Sequence, residues 1–403
     1  MEAGAALVNT IINAGIDTAF TVPGESFLAV LEALRSNQNR IRLVSVRQEG
    51  GGSLAAHGYA QVKRKPAAVF VSRGPGAANA SIGLHAAHQD SIPMVMFLGQ
   101  VRSHMKGRES FQEIDPKTSF GSMSKAVLEP NSAQEMVTMA RQAIEISQSG
   151  RPGPVVVVMP RDFGETKVDE DIEKRPYERQ QILGDQNSLN ELIDGLNKSV
   201  KPILLAGELA RGENVRDLLV KLSDRLGAPV ISAYRCQDVV ENHHPCYAGH
   251  LEINPVEYQD KLFNESDFIA VLGSRLDGIT SREETLIKDD AKWAHIHPDN
   301  IVLNRFNSDI PVQSDVLPLL TDIMGRIEQK DHKDSVWRSK AHSDYLNFST
   351  AGSYPVNGSV DLSYIAETTR ELLPPKSIVL TDGGSYARWV HRFFKFNAPF
   401  TQG

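Results

Sequence analysis

The 403 residues carry 43 Lys and Arg against 50 Asp and Glu, a formal charge of −7, with 41% hydrophobic and 23% charged side chains. That balance belongs to a globular protein of about two or three domains and leaves no basic footprint for a nucleic-acid backbone. No apolar run approaches the roughly 20 residues needed to span a bilayer, so neither nucleic acid nor membrane is an expected partner.

The opening MEAGAALVNTIINAG has no basic leader ahead of an apolar core and cleavage site. It reads as the first amphipathic helix of the fold, and it points to the cytoplasm. Apolar, β-branched runs follow at 41–46 (IRLVSV), 67–72 (AAVFVS), 93–98 (PMVMFL) and 154–159 (PVVVVM), alternating with helix-period segments. Runs without polar alternation fit strands covered on both faces, and alternation with helices implies crossover connections. The expected first domain, 1–170, is therefore a doubly wound, mainly parallel sheet. The charged stretch 166–181, without apolar period, reads as a solvated linker.

A second domain of the same α/β class is expected over 185–330, with strands at 202–206, 229–232, 267–273 and 293–297. Within it, CQDVVENHHPC sets Cys236 and Cys246 near His243 and His244, but structural zinc sites pair cysteines two to four residues apart. The segment reads as a loop with incidental histidines. A polar stretch from about 330 to 359 separates the beginning of a third domain, 355–403, with a helix at VDLSYIAETTRELL and a strand at 376–382. One strand cannot bury both faces, so the chain is expected to be a piece of a longer parent, cut inside its third domain.

Glu49 stands where the strand at 41–46 turns into a helix, followed by Gly50, Gly51 and Gly52. Each glycine weakens a helix by roughly 1 kcal/mol relative to alanine, so something must approach the backbone there, either a ligand or a neighbouring subunit. The helix N-terminus favours a charged Glu49, whereas burial would raise its pKa and keep it protonated; the plain alternative is a helix cap. Two more Gly/Pro loops, FTVPGES (20–26) and SRGPGAAN (72–79), fall at strand ends, where open α/β sheets bind ligands. SRGPGAAN echoes a dinucleotide fingerprint without its third glycine, and Asp90 comes too early to hold a ribose, so a nicotinamide enzyme is the weaker reading. His85 and His88 lack a third ligand and read as helix-face residues.

The motifs VPGE, RQEGGGSLAAHGYA, RGPGAANASIGLHAAHQDSIPMV, ESFQEID and RPGPVVVVMPRD occur in this order. Together they resemble the pyrimidine-binding domain of thiamine-diphosphate enzymes of the acetolactate synthase and benzoylformate decarboxylase group. The resemblance continues through KPILLAGE, LGAPVIS, DFIAVLGSRLD and AHIHPD into VLTDGGSYARW, which is similar to the start of the diphosphate-binding domain. It implies a decarboxylase or carboligase of a 2-oxo acid, with thiamine diphosphate and Mg²⁺ as cofactors. Glu49 would bond N1′ of the aminopyrimidine and promote its imino tautomer, with Val22, Pro23 and Gly24 lining the pocket and Asn79 on the adjoining loop. Gln112 would face the substrate. Gly384, Ser385 and Tyr386 would offer backbone amides to the diphosphate, an anion cradle of known type. The resemblance places the Mg²⁺ ligands beyond Gly403, so no metal ligand is named and the piece alone is expected to be inactive. A cofactor shared between two chains implies a homodimer or homotetramer.

Two departures stand out. Glu25 occupies a position where acetolactate synthases carry a small residue, and Arg73 replaces another; the two could pair, or Arg73 could meet a substrate carboxylate. HPCYAGHLEINP lacks the Gly-Met-His-Gly stretch of flavin-binding members, so FAD is not expected. A nicotinamide or flavin oxidoreductase and a non-catalytic family member are the competing readings.

Overall fold

A computed structural model describes residues 1–169, 177–330 and 335–403. The chain divides into two compact units, Met1–Gln180 and Gln181–Gly403. The first contains α1 (Ala3–Asn13), β1 (Thr18–Thr21), α2 (Leu28–Ser36), β2 (Arg42–Ser45), α3 (Glu49–Lys63), β3 (Ala67–Ser72) and α4 (Arg73–Gln89). It goes on through β4 (Met94–Gln100), α5 (Pro116–Phe120), β5 (Ala126–Leu128), α6 (Ala133–Gln148), β6 (Pro154–Pro160) and α7 (Arg161–Gly164). The strands form one parallel sheet in the order β2-β1-β3-β4-β6-β5.

Each strand feeds both faces, as unbroken apolar runs require. Along β3, Ala68 and Phe70 join the core under α1, α2 and α6, whereas Ala67, Val69 and Val71 join the core under α3 and α4. Phe70 stacks on Phe97 of β4 at 4.8 Å. From β1 the chain passes to β2 on one side, then returns to β3 on the other, so a crevice opens at the carboxyl ends of β1 and β3.

The second unit contains α8 (Gln186–Lys198), β7 (Pro202–Ala206), α9 (Glu213–Leu226), β8 (Val230–Ser232), β9 (Tyr247–His250), α10 (Glu257–Glu265) and β10 (Phe268–Leu272). Then come β11 (Trp293–His297), α11 (Asn300–Leu303), β12 (Ile310–Gln313), α12 (Val316–Ile323), α13 (Ser335–Ser349), α14 (Leu362–Leu372) and α15 (Ala387–Phe393). Its sheet, β12-β11-β10-β7-β8-β9, is also parallel.

Three expectations need correction. The polar stretch 330–359 contains α13, because Trp337, Ala341 and Tyr345 recur every fourth residue and the last two are buried. The expected strand at 376–382 is not formed: Val379 makes only an isolated parallel bridge to Gln402, and Ile378 and Leu380 are exposed. SRGPGAAN is not a loop, since α4 starts at Arg73; Pro75 sits in the first turn, where the missing N–H has no intrahelical acceptor anyway. Of the expected linker, residues 170–176 lie outside the described residues, and its start is fixed by an antiparallel bridge between Glu2 and Lys167.

Candidate functional site

The site in the first unit is built around the N-terminus of α3. Glu49 is the first residue of that helix, but it does not cap it: the cap is Gln48, extended at φ −155°, whose side-chain oxygen accepts from the Gly51 amide at 2.9 Å. The carboxylate of Glu49 is thereby released from backbone duty. Asn79 Nδ2 donates to Glu49 Oε2 at 2.9 Å. Oε1 has no hydrogen-bond partner among the described residues. It lies beside Gly76, where an added Cβ would come within 3.2 Å of it. Glu49 is half-buried.

The first two turns of α4 touch most of the other predicted members. At Gly24 a Cβ would fall 2.4 Å from that of Ser72, the residue just before α4. The Gly74 amide donates to the Gln112 carbonyl at 2.9 Å. Asn79 is therefore a helical residue rather than a loop residue, and reaches Glu49 from the exposed side of α4. Gln112 is exposed and left-handed at φ +62° beside the 75% exposed Phe111. Val22 is half-buried and Pro23 exposed, and they join the group through Gly24.

The three glycines of α3 have different neighbours. A Cβ at Gly50 would lie 3.0 Å from the Asn79 carbonyl, and one at Gly52 would lie 2.8 Å from Val46, so these two serve packing inside the unit. Gly51 is exposed with nothing within 4 Å of such a Cβ. Gly83 brings α4 against α3 so closely that a Cβ would meet the Ser53 backbone at 2.4 Å. His57, in the middle of α3, lies 3.0 Å from Asp90 at the carboxyl end of α4.

Glu25 and Arg73 do pair: Arg73 Nη2 donates to Glu25 Oε1 at 2.7 Å. Gln48, Gly76 and Ser72 were not singled out from sequence. Gln is not among the favoured caps, so the signal at Gln48 was weak.

In the second unit, Gly384, Ser385 and Tyr386 precede α15. The Gly384 amide is already taken by Asp382 Oδ1 at 2.9 Å, and a Cβ at Gly384 would lie 2.8 Å from the Tyr386 ring. The Ser385 and Tyr386 amides have no acceptor among the described residues. Cys236 and Cys246 are both buried, and burial pushes the Cys246 thiol up to about 12. Among the described residues no group of three or more His, Cys, Asp or Glu could hold a metal ion.

Comparison with known proteins places this geometry in context. Residues 1–119 match the family described as thiamine pyrophosphate enzyme, N-terminal TPP binding domain, and residues 189–323 match its central domain. The chain is 28% identical to an acetolactate synthase of Arthrospira platensis over 98% of its length and 70% of the relative's. It is 26% identical to a probable acetolactate synthase large subunit of Methanococcus aeolicus, over 99% and 70% respectively. The large subunit of acetolactate synthase isozyme 1 of Escherichia coli K12 is also 26% identical, with 98% and 69% covered. Two matched domains in family order and relatives aligned along nearly the whole chain establish that it belongs to the thiamine pyrophosphate enzyme family, in the acetolactate synthase group.

Proposed function

We propose that the protein is a thiamine-diphosphate-dependent decarboxylase or carboligase of a 2-oxo acid. The observation that supports this best is Glu49: one carboxyl oxygen is fixed by Asn79, and the other is unpartnered beside Gly76. A bound aminopyrimidine would find there a single oriented oxygen, with no side chain at position 76 in the way. When bound, the cofactor would supply a nucleophilic carbon and an electron sink for the substrate carbonyl.

The chain's own residues supply the proton handling and the packing. Glu49 Oε1 is the atom that would exchange a proton with the ring nitrogen of a bound aminopyrimidine, which is general acid–base catalysis by a positioned carboxyl group. Asn79, by occupying Oε2, fixes which oxygen does this. Gln48 keeps the helix end satisfied without drawing on Glu49. Gln112, exposed on a left-handed turn, faces the substrate.

The diphosphate cradle fits in part: Ser385 and Tyr386 offer two amides, and Gly384 offers none, since Asp382 already holds it. No step is assigned to Mg²⁺, for which the described residues provide no ligand set. The open surface over Gly51 suits close approach by a second copy, in a homodimer or dimer of dimers. No helix among the described residues is long and apolar enough to cross a membrane, and we place the protein in the cytoplasm.

The test is CO₂ release from a panel of 2-oxo acids by the complete protein with thiamine diphosphate and Mg²⁺, with and without Glu49→Gln. Turnover by the parent and its loss in the variant are expected. Equal cofactor-dependent turnover in both would overturn the assignment.

A further inference from the structure

Three charged residues leave three strand ends of the first sheet and converge: Glu25 after β1, Arg73 after β3 and Arg161 after β6. Arg73 Nη2 donates to Glu25 Oε1 at 2.7 Å, and Arg161 Nη1 lies 3.9 Å from the same oxygen. Arg73 Nη1 also donates to the Phe111 carbonyl at 3.3 Å, next to Gln112. The Nε atoms of Arg73 and Arg161 are buried without an acceptor among the described residues. β1 and β3 flank the crevice where the strand order reverses, so this trio stands where an open α/β sheet takes its ligand.

Stability does not account for the arrangement. The Glu25 side chain is 63% exposed, so solvent screening leaves its ion pair little effect on stability. Against that, Arg73 takes a left-handed φ of +49° and puts a cation at the first residue of a helix, where the backbone dipole is unfavourable to positive charge. Two guanidiniums and one carboxylate leave one positive charge unmatched, and Arg73 uses only two of its five N–H donors. The site is short of one carboxylate.

That carboxylate is not the one released as CO₂. A guanidinium gripping the departing group would stabilise the ground state, whose charge disappears in the reaction, and would raise the barrier. We propose that Arg73, oriented by Glu25 and supported by Arg161, binds the distal carboxylate of a dicarboxylic 2-oxo acid. This rests on the 2-oxo-acid reading above and names its substrate class.

The experiment compares 2-oxoglutarate with 2-oxobutanoate on the complete, cofactor-loaded protein, by CO₂ release and by ligand-observed NMR titration. Wild type is expected to favour the diacid. Arg73→Gln should raise its KM and dissociation constant about tenfold or more while moving those of 2-oxobutanoate no more than about twofold. Arg73→Lys, which keeps the charge but loses the planar fork, should retain an intermediate preference. Should Arg73→Gln melt early, Arg161→Gln, at a 30% exposed side chain, replaces it and should weaken the diacid selectively. Equal response of both acids, or no diacid binding by wild type, overturns the inference. CO₂ release from neither acid defeats the reaction assignment instead, and the titration still decides whether the trio holds a diacid.

Discussion

On the proposed assignment Glu49 and Asn79 divide one task, and their substitutions should separate it. Removing the acid in Glu49→Gln should lower turnover by about 10²–10⁴-fold, the usual worth of a positioned general acid–base. Asn79→Leu leaves the acid but frees its orientation, so a smaller loss is expected, measurable as kcat in the same CO₂ assay. A different residue in the second unit predicts pH behaviour. Lys395 is 7% exposed, donates to Tyr345 Oη at 3.0 Å and to the Ser349 carbonyl at 2.9 Å, and burial pushes its ammonium down to about 7. Because the native value lies below the ordinary 10.5, the unfolded chain binds the extra proton between those two values, and stability rises with pH across that window. Below pH 7 the core must hold the charge and the destabilisation is complete. Urea midpoints of wild type and Lys395→Met at pH 6.5 and 9.5 should therefore diverge, with wild type gaining a few kcal/mol relative to the variant at the higher pH, on the order set by the shift. At this scale the sequence pointed to Glu49 through the glycines that follow it. It could not show that Gln48 does the capping or that Asn79 is helical, because both depend on where a neighbouring helix begins.

Helices α3 and α4 show which glycines pack and which leave room. Gly83→Ala would drive a Cβ to 2.4 Å from the Ser53 backbone, which no rotamer change relieves. A loss of about 1–3 kcal/mol or more is expected from chemical denaturation. Gly51→Ala meets nothing and should stabilise the helix by roughly 1 kcal/mol. If a second copy or the cofactor approaches there, the same substitution will raise the melting temperature while lowering activity, so both must be measured on one preparation. Continuous apolar runs such as PVVVVM announced β6 and its neighbours, because burial on both faces leaves that signature. β9 gave no such signal: YAGH is four residues long, carries Gly249 at φ +91°, and its register against β8 breaks between Val230 and Ser232. β12 includes Pro311 at the sheet edge, where a missing donor is tolerated. α13 was hidden by the Ser, Lys, His and Asp residues that separate its buried positions.

Each unit has its own pair of hydrophobic cores, one on either face of its sheet. Calorimetry should accordingly resolve two unfolding transitions, and Gly83→Ala should move only the one belonging to Met1–Gln180. In the second unit, Asp238 is fully buried, and one of its oxygens accepts from Arg211 at 2.6 Å and from the Thr401 and Gln402 amides at 2.9 and 3.3 Å. Together with the Gln237 amide, which donates to Gln402 Oε1 at 2.9 Å, that carboxylate fastens residues 401–402 to the turn between β8 and β9. Asp238→Ala removes the carboxylate facing a buried guanidinium, which keeps its bond to the Gln402 carbonyl at 2.9 Å, and should cost about 3–5 kcal/mol in the second transition. The organisation into two parallel sheets was readable from strand spacing; the fastening was not, since it joins residues 163 positions apart. Gln48 carries a broader implication. If the chemistry belongs to the next residue, as proposed, then with the helix end secured by Gln48 a mutation at Glu49 silences the enzyme while leaving its scaffold intact. A lineage of this architecture is thus one codon away from a folded, inert descendant that natural selection could retain for other work.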